Sequence, residues 1–260
     1  MGTTVSIDIR EPFVAAAAVE EAVAWFHDVD RRFSPFREDS EVTRIGAGTL
    51  ALEDASPDVR AMFTLADGLR ERTGGFFDPR GHRPDGRPDP TGVVKGWAVD
   101  EAVALLRMAG ARNFEVVAGG DLVACGEPAP GRAWRIGVRH PDREGAVAAV
   151  LAIRNMAVAT SGLYERGGHI LDPHTGSVAS GLRSITVIGQ GLTLVDAFAT
   201  AAFAMGEPGI AWVARQDGYG AVAITDSDRV VWTPLALALA EPGTGAPAAD
   251  ALRGVSGRGV

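Results

Sequence analysis

The sequence predicts an α+β fold in which a largely antiparallel sheet packs against helices within a single domain. Apolar strands and amphipathic helices occur in blocks, without the strict strand–helix alternation that is typical of a parallel sheet. The 260 residues, of which 46% are hydrophobic, can bury one substantial core. The chain contains no internal repeat and no apolar run of 18 residues, so neither a repeat architecture nor a membrane span is predicted.

The first half of the chain is predicted to be mainly helical. An alternation of polar and apolar residues at 3–9 predicts a strand, and Pro12 begins a helix whose apolar residues recur at i, i+3, i+4, i+7 and i+11. Ser56 is the predicted N-cap of a second helix, which ends near Gly74. Each helix has one apolar face and is therefore expected to pack on the sheet.

A third helix is predicted to follow a long irregular loop. Residues 74–92 are rich in Gly, Pro and Asp, which disfavour regular structure, and loops of this length are usually functional or mobile. The helix after the loop is predicted to cover roughly residues 97–108, with Gly110 as its C-terminal stop.

The second half of the chain is predicted to form most of the sheet. Two helices, one over 193–205 and one after Pro208, lie among short apolar runs separated by turns. The domain is predicted to span residues 1–240, and the Gly-, Pro- and Ala-rich segment 241–260 is predicted to be a disordered tail. The predicted strands are 114–118, 121–125, 134–138, 146–153, 156–160, 184–188, 219–225 and 229–233.

Charge and cysteine content exclude several classes of function. The formal net charge of −8 argues against a nucleic-acid partner, because phosphate binding needs a basic surface. Cys125 is the only cysteine, which rules out an intrachain disulfide and a zinc site built from clustered Cys and His. The first residues lack the basic and apolar regions of a signal peptide, so we expect a cytoplasmic protein without membrane insertion.

A candidate metal site lies in the segment 194–206. Asp196 and Thr200 are spaced i, i+4, so on a helix their oxygens project from one face and can share a cation. The alternative is that Asp196 lies in the first turn of the helix, where its charge interacts favourably with the helix dipole. Two protein ligands are too few for Mg²⁺, so a metal site would also need waters, backbone carbonyls or phosphate oxygens.

Two glycine-containing turns are candidate anion sites. In the segment 89–100, Gly92 is predicted to lie in a turn directly before a helix, where backbone N–H groups can approach an anion and Lys95 can add a positive charge. An ordinary surface lysine at a helix start is the plainer explanation, which spacing alone favours. Gly119 and Gly120, followed by Asp121, predict a hairpin turn, with close approach of the backbone to a ligand as the alternative.

The two histidines near residue 170 are ambiguous from the residues alone. A histidine beside two glycines and without a nearby charge, as at His169, is more often structural than catalytic. His174 is predicted to lie solvated in a turn. The segment 160–162 lacks the Gly-x-Ser-x-Gly pattern, which disfavours a serine hydrolase.

Taken together and in order, these segments resemble the ApbE family of flavin transferases over almost the whole chain, from Met1 to about Trp232. Single motifs of this kind are weak, but a series of them in register is specific. The matching segments are Met1-Gly2-Thr3, FSPFREDSEVTRI at 33–45, TGGFFDP at 73–79, DPTGVVKGWAVD at 89–100, AGGDLVACG at 118–126, TSGLYER at 160–166, HILDPHTG at 169–176 and VDAFATA at 195–201.

The resemblance implies a T-fold-like α+β fold, binding of FAD as substrate with Mg²⁺, and transfer of FMN to a Ser or Thr of an acceptor protein with release of AMP. It leaves open two alternatives, a Mg²⁺-dependent FAD pyrophosphatase that gives FMN and AMP and a non-catalytic FAD-binding protein. A flavin-independent structural protein is a third, and it requires the glycine turns and the helical Asp to be ordinary structural features.

The resemblance also implies roles for individual residues. By position, Asp196 and Thr200 would ligate Mg²⁺ with help from a backbone carbonyl near Gly92. His169 and Asp196 are the implied catalytic residues, with His169 as the acid–base. The residues implied to line the flavin nucleotide are Met1, Thr3, Lys95, Asp100, Gly119, Gly120, Asp121, Ser161, Gly162 and Tyr164.

Three positions depart from the family pattern. Gly46 and Val117 stand where many members have an Asn, and Gly168 stands where a second His often precedes the one at 169. The first two changes remove a hydrogen-bonding side chain near the expected nucleotide. They bear on how tightly FAD is held and on whether transfer or hydrolysis dominates.

Overall fold

The computed structural model describes residues 2–11, 16–80, 89–143, 145–162 and 170–243. Helices over these residues are α1 (Ala16–Phe33), α2 (Glu41–Gly46), α3 (Pro57–Arg72), α4 (Thr91–Met108), α5 (Leu192–Met205), α6 (Glu207–Ala214) and α7 (Pro234–Ala238). The strands are β1 (Val5–Ile9), β2 (Phe114–Ala118), β3 (Asp121–Cys125), β4 (Trp134–Arg139), β5 (Val147–Ile153), β6 (Met156–Gly162), β7 (Leu182–Gly189), β8 (Gly220–Thr225) and β9 (Val230–Trp232). None of the described helices combines the length and the apolar character that a bilayer crossing requires.

The strands form one large and one small sheet. Seven of them pair in the order β1-β2-β3-β6-β7-β8-β9, and β4 pairs with β5 in a separate two-stranded sheet. Every neighbouring pair is antiparallel. The predicted α+β class with a largely antiparallel sheet is therefore confirmed.

The inner strands of the large sheet are buried on both faces, and the side chains of each strand point alternately to one face and the other. In β6, Ala157 and Ala159 face a core that they share with α1, α3, α4 and α5. Val158, between them, faces a second core that contains Trp134 of β4 and Leu151 of β5. Helices α1, α3, α4 and α5 thus cover one face of the sheet, and the small β4–β5 sheet covers the other together with α7, whose Ala236 belongs to the second core.

Helices α4 and α5 pack together over the sheet with their backbones in close contact. A Cβ built on Gly96 of α4 would lie 2.6 Å from the Cα of Thr193 and 2.7 Å from the carbonyl oxygen of Leu192. Only glycine allows this approach, because any side chain would overlap the backbone of α5. The contact brings the beginning of α5 against the middle of α4.

The third predicted helix is longer than expected. It begins at Thr91 and not near residue 97, because Pro90 acts as its N-cap and the Asp89 carboxylate accepts a hydrogen bond from the Thr91 N–H at 2.9 Å. Gly92 therefore lies in the first turn of α4 and not in a turn before it. Glycine lowers helix propensity by about 1 kcal/mol, but the packing of α4 against α5 overrides that local preference.

The other predicted helices and strands agree closely with the structure. Ser56 occupies the N-cap of α3 as predicted, although its side chain makes no capping hydrogen bond. The predicted helix start at Pro12 lies outside the described residues. Near the C-terminus, the Glu241 N–H donates to the Val150 carbonyl at 2.9 Å, and residues 244–260 lie outside the described part of the chain.

Candidate functional site

Three charged side chains from three elements meet at one end of the α4–α5 contact. Lys95 of α4 forms ion pairs with Asp121 at the start of β3 and with Asp196 of α5. The Lys95 Nζ lies 3.3 Å from Oδ2 of Asp196 and closer still to Oδ2 of Asp121. The side chains of Lys95, Asp121 and Asp196 are 30%, 2% and 12% exposed, respectively. We call these three residues the charged triad.

The position of Asp121 is set by the hairpin that joins β2 to β3. Gly119 and Gly120 form its turn with φ of +60° and +95°, values that side-chain-bearing residues adopt only with strain. A Cβ on Gly119 would lie 2.6 Å from Oγ1 of Thr3, so Thr3 lies directly against this turn. The predicted hairpin is confirmed, and it places the Asp121 carboxylate in the charged triad.

The carboxylate of Asp121 also completes the edge of the β3–β6 pairing. That ladder ends at the pair Leu122 and Val158, which leaves the Thr160 N–H beyond its end. Oδ1 of Asp121 accepts this N–H at 2.9 Å, while Oδ2 faces Lys95. Both oxygens of this almost fully buried carboxylate are therefore hydrogen bonded.

Asp196 lies in the second turn of α5, since the helix begins at Leu192. The alternative that Asp196 interacts with the helix dipole from the first turn is therefore wrong, and the first turn of α5 contains no acidic residue. Thr200 follows one turn later on the same face and is half-buried. The two oxygen-bearing side chains share the predicted helical face.

Asp100 of α4 fixes the beginning of α5. Its carboxylate accepts hydrogen bonds from the backbone N–H of Leu192 at 2.8 Å, and from the N–H and the Oγ1 hydroxyl of Thr193 at 2.9 and 2.5 Å. Gly191, the N-cap of α5, has no side chain to cap the helix, so Asp100 supplies the cap from a neighbouring element. It thereby orients the helix that carries Asp196.

Lys95 keeps its charge in this environment. Burial lowers the pKa of the Lys95 ammonium, but the charges of Asp196 and Asp121 and their hydrogen bonds raise it by more, so the pKa lies above its ordinary value. The triad therefore contains a permanent positive charge between two carboxylates.

The chemistry of the donor set fits a hard cation such as Mg²⁺. Asp196 and Thr200 offer a carboxylate and a hydroxyl oxygen from one helical face, and oxygens are the ligands that Mg²⁺ prefers. Gly92 lies within α4, where a carbonyl accepts a hydrogen bond from the N–H four residues on. Its carbonyl could serve a metal only through its second lone pair.

A second group of possible metal ligands within the described residues forms ion pairs with arginine side chains. His140, Asp142 and Asp228 place ligand atoms within 4.8 Å of one another. Arg183 pairs with Asp142, however, and Arg143 approaches Oδ2 of Asp228 at 2.8 Å. These contacts link the small sheet to β7 and to the β8–β9 turn, and we assign them a structural role.

His174 connects two of the segments that carry the family resemblance. Its ring packs edge-on against Phe76 at a centroid distance of 4.6 Å, and its Nε2 lies 3.0 Å from the carbonyl oxygen of Gly74. The expectation that His174 is merely solvated is therefore wrong, although the residue as a whole is exposed.

Not all residues implied by the resemblance can be placed. Met1, Tyr164 and His169 lie outside the described residues. Ser161 and Gly162 are buried at the end of β6, next to Thr160, whose backbone contacts Asp121.

The ion pairing within the charged triad and the contact of Thr160 with Asp121 were not predicted from the sequence. Lys95, Asp121 and Asp196 are far apart in the chain, and no local pattern signals that they meet. A carboxylate needs a partner when it is buried, but the burial of Asp121 is not evident from its position after a glycine turn in the sequence.

Comparison with known proteins identifies the family. The family model described as "ApbE family" matches residues 1–84 and 81–223. The chain belongs to the ApbE family. The resemblance drawn from the motifs is thereby confirmed.

Curated relatives in this family are named FAD:protein FMN transferase. The protein from Rhodobacter capsulatus is 37% identical over 60% of this chain and 31% of its own length. The protein from Haemophilus influenzae is 32% identical over 54% of this chain and 44% of its own length. One from Vibrio cholerae is 26% identical over 80% of both chains. The chain thus spans less than half the length of the first two relatives in its matches.

Solved structures of ApbE proteins have the same fold. The apo form of the Pseudomonas stutzeri flavinyl transferase ApbE superimposes with a TM-score of 0.80 at 22% identity, covering 95% of both chains. The flavin transferase ApbE from Vibrio cholerae gives a TM-score of 0.78 at 24% identity, covering 90% of this chain and 94% of that one.

Proposed function

We propose that this ApbE-family chain is a Mg²⁺-dependent FAD:protein FMN transferase. The observation that carries the proposal is the meeting of Asp196, Lys95 and Asp121 beside an exposed glycine turn. Hard oxygen ligands, a fixed ammonium and an accessible backbone together suit a pyrophosphate with its metal ion. The names of the curated relatives support this choice of substrate.

The proposed reaction transfers a phosphoryl-linked flavin to a hydroxyl group. The hydroxyl oxygen of a Ser or Thr in the acceptor protein forms a bond to the phosphorus of the FMN moiety. The bond from that phosphorus to the bridging oxygen breaks, and AMP leaves with the electron pair. The proton of the hydroxyl passes to a base, for which we propose His169, outside the described residues.

Each part of the site has a task in this reaction. When bound, Mg²⁺ supplies Lewis-acid stabilisation of the phosphate oxygens, worth several kcal/mol. Asp196 and Thr200 would hold it, with a carbonyl near Gly92 as a further ligand. A positioned acid–base, the role proposed for His169, contributes about 10²- to 10⁴-fold.

The glycine turn and its neighbours are proposed to receive the nucleotide. No atom of the described residues lies within 4 Å of a Cβ built on Gly120, so an anionic oxygen can approach its backbone closely. Thr3 lies against Gly119 and is proposed, with Met1, to lie near the isoalloxazine ring. Ser161, Gly162 and Tyr164 are proposed to line the nucleotide from the end of β6, and Asp100 acts on the site by orienting α5.

A mass measurement tests the proposal. The protein is incubated with FAD, Mg²⁺ and an acceptor carrying a Ser/Thr-Gly-Ala-Thr-like segment, and the intact mass of the acceptor and the free nucleotides are measured. An acceptor heavier by one FMN, with AMP released, supports transfer. Free FMN and AMP alone would identify a pyrophosphatase, and bound FAD without AMP would identify a flavin-binding protein.

A further inference from the structure

Lys95 is the only lysine in the chain, and the other 24 basic residues are all arginine. A lysine ammonium is a compact point charge on a flexible stem, whereas an arginine guanidinium is a planar fork that suits bidentate contacts. Position 95 therefore differs from every other basic position in the protein. Its surroundings explain the difference, because the ammonium fits between single oxygens of two carboxylates.

The charged triad carries one excess negative charge, from two carboxylates and one ammonium. Asp121 is held by the Thr160 N–H and by the glycine turn before it, and it anchors the ammonium within reach of Asp196. The side chains of Asp121 and Asp196 are almost entirely shielded from water. Charges at this depth are screened far less than charges on the surface.

A divalent cation on Asp196 would share its carboxylate with this ammonium. Adding two positive charges to the charged triad changes its excess from one negative to one positive charge in a poorly hydrated space. Repulsion between the cation and Lys95 therefore weakens cation binding. A pyrophosphate carries two negative charges and offsets that excess.

We infer that Lys95 makes binding of the divalent cation at Asp196 depend on binding of the pyrophosphate. In the nucleotide-free protein the ammonium keeps the affinity for divalent cations low, and the pyrophosphate relieves the repulsion. This inference rests on the proposed function, from which it takes the metal site and the substrate. Because such coupling is reciprocal, the cation raises the affinity for the pyrophosphate by the same factor.

The competing explanation gives Lys95 a purely structural role. In that case it neutralises two buried carboxylates so that the protein folds, and its removal lowers stability without changing metal affinity. The two explanations differ in the metal affinity of folded, nucleotide-free protein. That quantity can be measured without turnover.

Binding of Mn²⁺ to nucleotide-free protein, followed by electron paramagnetic resonance, is the first test. Lys95→Met is expected to bind Mn²⁺ at least about tenfold more tightly than the original protein, because it removes a charge a few Å from the ion. Lys95→Arg keeps the charge and is the matched control, expected to bind Mn²⁺ as weakly as the original protein.

A double variant tests whether the ammonium beside Asp196 or the net charge of the triad controls the affinity for Mn²⁺. Lys95→Met combined with Asp121→Asn has the same excess charge as the original triad but leaves no ammonium beside Asp196. It is expected to bind Mn²⁺ more tightly than the original protein. Circular dichroism verifies that each variant is folded, and addition of Asp196→Asn is expected to abolish the gain.

The single lysine allows a direct observation of the coupling between pyrophosphate binding and cation binding. Protein labelled with ¹³C at the lysine Cε gives one side-chain signal in NMR spectra, since no other lysine is present. Mg²⁺ alone, at a concentration well below its dissociation constant for nucleotide-free protein, is expected to leave the signal unchanged. The same Mg²⁺ concentration with ADP, which carries a pyrophosphate without flavin, is expected to shift it beyond the shift that ADP alone produces.

The outcomes distinguish this inference from the proposed function. If folded Lys95→Met and its double variant bind Mn²⁺ no more tightly than the original protein, while that protein still transfers FMN, the role of Lys95 is overturned and the function stands. If Lys95→Met binds Mn²⁺ more tightly than the original protein, and the original protein neither transfers FMN nor releases AMP, the effect of the Lys95 charge stands and the proposed function is overturned. If neither Mn²⁺ binding nor FAD turnover is detected in any folded form, both are overturned.

Discussion

The carboxylate of Asp100 caps a helix to which it does not belong, through two backbone N–H groups and the hydroxyl of Thr193. This relationship joins α4 to α5 at a point one turn before Asp196. Since Lys95 is on α4 and Asp196 is on α5, the geometry of the charged triad depends on how these two helices are held together.

Asp100→Ala is expected to lower the free energy of unfolding by about 1–3 kcal/mol, because a cap is lost and buried N–H donors lose their acceptor. It is also expected to weaken Mn²⁺ binding, since α5 loses its fixed starting point. Denaturant unfolding and metal titration measure these two effects. Glu101→Ala, at an exposed position on the same helix, is the control and is expected to change neither quantity appreciably. Equal stabilities of the two variants would contradict the capping role.

Gly96→Ala is expected to destabilise the protein by about 1–3 kcal/mol, because its Cβ would overlap the α5 backbone at 2.6 Å. Gly68→Ala on α3 is the matched control, since no atom in the described part of the chain lies within 4 Å of the Cβ it would add. That control is expected to stabilise the protein by about 0.4–1 kcal/mol through a more restricted unfolded chain. Thermal unfolding of both variants is the measurement, and shifts of the same sign would show that α4 and α5 do not pack as described.

Gly119→Ala is expected to destabilise the protein more than Gly120→Ala. Both introduce a side chain at positive φ, which costs about 1–2 kcal/mol, but only the Cβ at 119 also collides with Oγ1 of Thr3. Thr3→Ala added to Gly119→Ala is expected to recover the difference between the two glycine variants. Unfolding in urea measures all three proteins, and a double variant no more stable than Gly119→Ala would argue against contact of Thr3 with the turn.

On the proposed function, Asp196→Asn is expected to reduce FMN transfer and AMP release by at least about 100-fold while the fold survives, since it removes the charge of the proposed metal ligand. Thr200→Val, which keeps the shape of the side chain without its hydroxyl, is expected to give a smaller loss that higher Mg²⁺ concentrations partly restore. Intact-mass analysis of the acceptor and chromatography of AMP follow the reaction. Full turnover by a folded Asp196→Asn protein would remove this residue from the mechanism.

Local patterns predicted most of the fold, because periodicity and turn residues report directly on helices and strands. The spacing of Asp196 and Thr200 placed both correctly on one helical face, and the two glycines before Asp121 predicted the hairpin correctly. The start of α4 was predicted too late, because Gly92 and Gly96 lower helix propensity while the tertiary contact that requires glycine at 96 is invisible in the sequence.

The sequence singled out the members of the charged triad one by one but did not predict their arrangement. Lys95, Asp121 and Asp196 were each singled out, and none was predicted to pair with another. An ion pair between residues on separate elements depends on the strand order, which places β3 beside β6 and not beside β4. The capping role of Asp100 was missed for the same reason, since an N-cap normally comes from the residue that precedes the helix.

The large sheet separates two cores that contain different layers of the protein. The chain leaves the sheet after β3, forms β4 and β5 over the far face, and returns as β6 beside β3. Trp134 and Leu151 pack there, across the sheet from the helices that carry Lys95 and Asp196. Substitutions in the β4–β5 layer are therefore expected to change the stability of the protein more than the geometry of the charged triad.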